Sequence, residues 1–71
     1  MKIIATNVGY FCKYITKGKI YEVLKVIPYK HGDIVIIQDD DLDVINIPLN
    51  HIEKNITCAH GVLWEIVDEQ V

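Results

Sequence analysis

Apolar and polar residues along this chain alternate in short blocks divided by turn-forming residues, with no long amphipathic helix pattern. The first block, Lys2 to Thr6, reads as a strand and breaks at Asn7-Val8-Gly9. An aromatic-rich stretch, "YFCKYITKG", follows from Tyr10 to Gly18, and Gly18 stands where a turn needs a residue free to take positive φ. "KIYEVLKVI", Lys19 to Ile27, then runs nine residues without Gly, Pro, Asn or Asp. Ile20, Leu24 and Val26 share one parity, and Tyr21, Val23 and Ile27 the other. Two partly apolar faces predict one long strand that curls, turning a different face inward at each end. A helical period also matches these positions, but the β-branched residues disfavour it.

The second half is punctuated more sharply. "PYKHGD", Pro28 to Asp33, is turn chemistry. "IVIIQ", Ile34 to Gln38, predicts a short strand that is central or covered on both faces. "DDDLD" and then "VINIP" read as a hairpin loop and its return strand. After Pro48, Leu49-Asn50-His51-Ile52 reads as one tight turn, with Ile47 and Ile52 facing inward. The proline removes an N–H that a turn leaves unpaired and fixes φ at the first turn position. A polar stretch from Glu53 to Gly61 leads to the last strand, "VLWEIV", Val62 to Val67, and an acidic end expected to fray. The expected fold is all-β: one domain over residues 1–71, a small five-stranded antiparallel barrel with a single 3₁₀ turn.

Composition narrows the class further. A chain of 71 residues holds one core and retains roughly 3–5 kcal/mol of net stability. At 51% apolar, mainly Ile and Val, it is too hydrophobic for disorder and too β-branched for a helical bundle. Net charge is -3, there is no Arg, and the seven lysines are dispersed, which disfavours a nucleic-acid surface. No apolar run approaches a signal peptide's core or a membrane span, so a cytoplasmic protein with no membrane contact and free thiols at Cys12 and Cys58 is expected.

Two stretches carry a family resemblance. "TKGKIYEVLKV", Thr16 to Val26, resembles the SH3 segment in which a Lys-Gly-Asp turn leads into an apolar strand. "INIPLNHIE", Ile45 to Glu53, resembles the SH3 ending, where Pro-Ser-Asn-Tyr-Val opens a single 3₁₀ turn. Order and separation of the two agree with that family over about two-thirds of the chain. The chain also resembles the tiny SH3-like proteins encoded by bacteriophages, on "KGKIYEV", the "DDD" loop and "NIP". It departs from peptide-binding SH3 domains: the Ala-Leu-Tyr-Asp-Tyr motif is missing, "IVIIQ" has no Trp, and His51 stands in the place of the groove tyrosine. The resemblance therefore implies the SH3-like framework without polyproline reading.

Candidate chemistry is sparse. Asp39, Asp41 and Asp43 alternate as in the first half of an EF-hand loop, but Val44 and Asn50 occupy the places that need Gly and Glu. A solvated hairpin tip is the expected role. Cys58 and His60 with Cys12 and His51 lack the paired Cys spacing of structural zinc, and a nucleophilic Cys with a His partner lacks a stabilising third group or elbow motif. Cys12 reads as buried and inert and His60 as a loop residue. No metal, cofactor or catalytic residue is expected, and the chain reads as a non-enzyme.

The aromatic residues divide by position. Tyr21 and Trp64 fall in strands and are expected in or beside the core; Tyr10, Tyr14 and Tyr29 fall in turns and are expected to be exposed, as partner anchors or as lids over a small core. The SH3-like resemblance places the Tyr10/Tyr14 loop beside Pro48, Asn50 and His51 on one groove. Asp39, Asp40 and Asp41 would add charge complementarity toward a basic partner. The expectation is a protein-binding module, a phage or mobile-element factor that binds and inhibits a host protein such as a defence factor. Three other readings use different features: a nucleic-acid-binding barrel with Lys13, Lys17, Lys19 and Lys25 beside the tyrosines, an acidic DNA mimic, and a homo-oligomer formed through an open last strand.

Overall fold

A computed structural model of the chain describes residues 1–9, 13–57 and 61–67. Its strands are β1 (Lys2–Asn7), β2 (Ile20–Glu22), β3 (Lys25–Ile27), β4 (Ile34–Gln38), β5 (Val44–Pro48) and β6 (Leu63–Val67). The helix α1 (Leu49–Glu53) follows β5. The strands form two three-stranded antiparallel sheets, β2-β1-β6 and β3-β4-β5, so the fold is mostly β as expected. The sheets are not joined into one closed ladder.

The stretch from Lys19 to Ile27 is two strands rather than one. β2 pairs with β1, β3 pairs with β4, and the chain changes sheet at Val23-Leu24. There the Val23 N–H donates to the Met1 carbonyl at 3.0 Å and the Leu24 N–H to the Ile36 carbonyl at 2.8 Å. Adjacent residues thus bond to different sheets, which is how a corner between packed sheets forms. The doubled apolar parity is the sequence trace of that corner.

The segment after β5 is α-helical, not 3₁₀: the Lys54 N–H reaches the Asn50 carbonyl, four residues back, at 2.9 Å. Pro48 closes β5 opposite Ile34 with φ -63° and ψ 127°, so it caps the helix instead of occupying its first turn. At the other end Asn55 takes φ 57°. Its N–H donates to the Ile52 carbonyl and the Ile56 N–H to the His51 carbonyl, a Schellman closure that uses Asn where Gly is commoner.

Between the sheets the core comprises Ile3 and Ala5 of β1, Tyr21, Val35 and Ile37 of β4, Ile47, Ile52, Val62 and Trp64, with Ile15 from the loop before β2. Ile47 and Ile52 face inward as expected, as do Tyr21 and Trp64. The latter two rings meet edge to face, with centroids 5.4 Å apart and planes at 81°. β4 is central in its sheet, which suits its apolar run: Val35 and Ile37 enter the core, while Ile34 and Ile36 stand half-buried on the outer face. Among the described residues, no helix is long and apolar enough to cross a membrane.

Candidate functional site

The turn joining β3 to β4 and the first turn of α1 enclose a depression of about 250 Å³. Two hydrogen bonds set their spacing. The Leu49 N–H donates to the Asp33 carbonyl at 2.9 Å, and the Asn50 Nδ2 donates to the His31 carbonyl at 3.0 Å. Gly32 permits this approach, because its φ is +121° and a Cβ there would lie 2.6 Å from Asn50 Nδ2. The lining is Tyr29, His31, Gly32, Asp33, Ile34, Pro48, Asn50 and His51. Such a volume is below the ~300 Å³ of small-molecule pockets and suits one or two side chains of a protein partner.

Aromatic and imidazole groups dominate the rim. Tyr29 is 60% exposed and its ring lies 6.3 Å from that of His31. The Nδ1 of His51 is buried and has no hydrogen-bond partner. Buried polar atoms are nearly always paired, so this nitrogen is an exception within the fold.

Four of the residues singled out from the sequence, Tyr29, Pro48, Asn50 and His51, therefore meet in one place. Among the described residues, Tyr14, Asp39, Asp40 and Asp41 do not join them. Tyr14 is 42% exposed but sits against the β4–β5 hairpin, its carbonyl accepting the Asp40 N–H at 2.7 Å. Tyr10 lies outside the described residues, as do Cys12, Cys58 and His60.

The acidic loop is more than a solvated tip. Asp39 is buried, and its Oδ1 accepts the N–H groups of Asp41 and Asp43, each at 2.9 Å. Asp40 receives Thr16 Oγ1 at 2.6 Å on one oxygen, and Lys19 Nζ at 2.6 Å and the Tyr21 hydroxyl at 2.9 Å on the other. The Tyr21 oxygen in turn accepts the Thr16 N–H at 2.8 Å. The hydrogen bond from Lys19, then that from Thr16, holds the Asp40 carboxyl below the usual value of 3.8. Asp40 raises Lys19 above 10.5 mainly through the same bond, and burial pushes the Tyr21 hydroxyl above 10.0. Lys19 also lies 5.1 Å from the centre of the Tyr21 ring. Asp39 thus closes the hairpin loop on itself, Asp40 staples it to the β1–β2 connection, and Asp41 and Asp43 are the carboxylates left exposed in this loop.

His31, Gly32, Asp33 and Ile34 line the depression without having been singled out from the sequence. A Gly inside a Pro-to-Asp turn marks the turn but not what it packs against. The spacing of Asp39, Asp41 and Asp43 did hold a local signal, since an Asp side chain commonly bonds N–H groups a few residues downstream. Among the described residues no group of three or more His, Cys, Asp or Glu side chains is arranged to hold a metal ion. No protein-family model, curated protein or solved structure matches the chain.

Proposed function

We propose that this chain is a non-enzymatic protein-binding module whose depression between the β3–β4 turn and α1 receives an apolar segment of a partner protein. The observation that carries the reading is the convergence of Tyr29, Pro48 and His51 on a concavity sized for side chains. Tyrosine is among the residue types enriched at interface hot spots. The framework is an SH3-like barrel in this proposal. Two observations support that reading: a chain that changes sheet at Val23-Leu24, and the short helix α1 following β5. The phage-protein resemblance extends the proposal to a partner in the host cell that the module binds and inhibits.

The test is capture from host lysate on immobilised protein, with Tyr29→Ala and His51→Ala compared against the parent. Both side chains are at least partly exposed, so the variants are expected to fold. Loss of a captured protein with both variants supports the site. Equal capture by all three sinks it.

A further inference from the structure

The outer face of the β3-β4-β5 sheet carries Ile27, Ile34, Ile36, Val44 and Pro48, with exposed Lys25, Gln38 and Asn46 among them. Paired residues across antiparallel strands share a face, so Ile27–Ile34–Pro48, Lys25–Ile36–Asn46 and Gln38–Val44 form successive outer rows. Val44 is 60% exposed and Ile27 37%. Ile36 is the middle residue of β4. The β4–β5 hairpin tip lies beyond one end of that strand, and the turn bounding the depression lies beyond the other.

The tip carries an unusual residue. Leu42 is 71% exposed and holds φ 67°, left-handed backbone that a leucine adopts only at a cost. Gly would relieve that strain and expose less apolar surface. Exposed Asp41 and Asp43 flank it, whereas the turn at the opposite end carries Lys30 between Tyr29 and His31, with Asp33 as its own acid.

We propose that two copies of this chain pack these outer faces together about a two-fold axis at Ile36, with their β4 strands antiparallel. That operation lays the hairpin tip of each copy over the turn of the other. Leu42 then seats in the partner's depression, and Asp41 and Asp43 face the partner's Lys30. Lys25 stays at the rim on the outermost strand, its stem along the apolar face and its ammonium in water. Three strands at about 4.8 Å spacing make a small patch, so the pair falls at the weak end, under ~1,200 Å² in total. The inference rests on the depression being a docking site; it adds that a second copy occupies it when no other partner does.

Sedimentation equilibrium from about 10 μM to 1 mM tests this, because interfaces of this size associate weakly. The parent is expected to dimerise reversibly in that range. Leu42→Gly is the discriminating variant: relief of the strain raises its monomer melting temperature by about 5 °C, while its association weakens at least ~10-fold. Lys30→Glu and Asp43→Lys should each weaken association roughly fivefold, because symmetry repeats each contact, and the double reversal should restore it. A parent monomeric at the highest concentration overturns the proposal. So does Leu42→Gly dimerising like the parent, or a double reversal no tighter than the singles. Leu42→Gly retains the depression, so host-protein capture by this variant separates failure here from failure of the docking site itself.

Discussion

Replacing Tyr21 by Phe removes one oxygen and leaves the buried ring against Trp64 in place. That oxygen accepts the Thr16 N–H at 2.8 Å and donates to Asp40 Oδ1 at 2.9 Å. The first bond is neutral and contributes about 0.5–1.5 kcal/mol; a bond to a charged group contributes about 1.5–3 kcal/mol when well shielded. Asp40 is 23% exposed and keeps Thr16 and Lys19 as partners, so the second belongs at the low end or beneath it. The expected loss is about 2 kcal/mol, near half of the ~3–5 kcal/mol available to a chain this small. At about 4–8 °C per kcal/mol, the melting temperature falls by ~8–16 °C. Urea unfolding followed by fluorescence of Trp64, the chain's one tryptophan, measures it directly, and the slope should not change. In an Asp40→Ala background the same change should cost only about 1 kcal/mol, the Thr16 share. A loss under ~0.5 kcal/mol, or full additivity with Asp40→Ala, would refute the stapling role.

The same cluster sets a pH dependence. Asp40 is held below 3.8, so its contribution is complete above that value and is lost as pH falls through its lower folded value. Lys19 and Tyr21 are raised, so theirs is complete below 10.5 and 10.0 and is lost as pH climbs through the folded values. Melting temperature against pH should therefore drop at both ends, and Asp40→Ala should flatten the acid end and lessen the alkaline one, where burial of Tyr21 persists; parallel curves would contradict this. Gly32→Ala sets a Cβ 2.6 Å from Asn50 Nδ2 at φ +121° and should cost about 1–3 kcal/mol by chemical denaturation. Adding Asn50→Ala should recover the part due to the clash, and a neutral Gly32→Ala would show that the turn and α1 are not in contact.

Much of the strand layout can be read from the chain because it rests on local patterns. Val35, Ile37 and Ile47 sit in apolar runs bounded by Gly and Asp, and Gly18 does take positive φ, at 83°. The sheet change at Val23-Leu24 was visible only as a doubled parity, since which sheet each half joins depends on β1 and β4, both distant in sequence. Pro48 stops a strand by its missing N–H, yet whether the next turn closes as α or 3₁₀ depends on Asn50 and Lys54 meeting. The acidic loop was least legible: Thr16, Lys19 and Tyr21, which occupy Asp40, lie 24, 21 and 19 residues before it. For the site, Pro48, Asn50 and His51 are neighbours and stood out together, while Tyr29 reaches them only through the turn that Gly32 allows.

The central claim is that the depression between the β3–β4 turn and α1 is where a partner docks. Amide spectra of the labelled chain, titrated with the protein it captures, test this most directly. The account predicts the largest shifts at Tyr29 to Asp33 and at Asn50 and His51, absent in Tyr29→Ala and His51→Ala titrated in parallel. Shifts gathered instead on the outer face of the β2-β1-β6 sheet, at Ile4, Ile20 and Glu65, with both variants binding as the parent does, would contradict it.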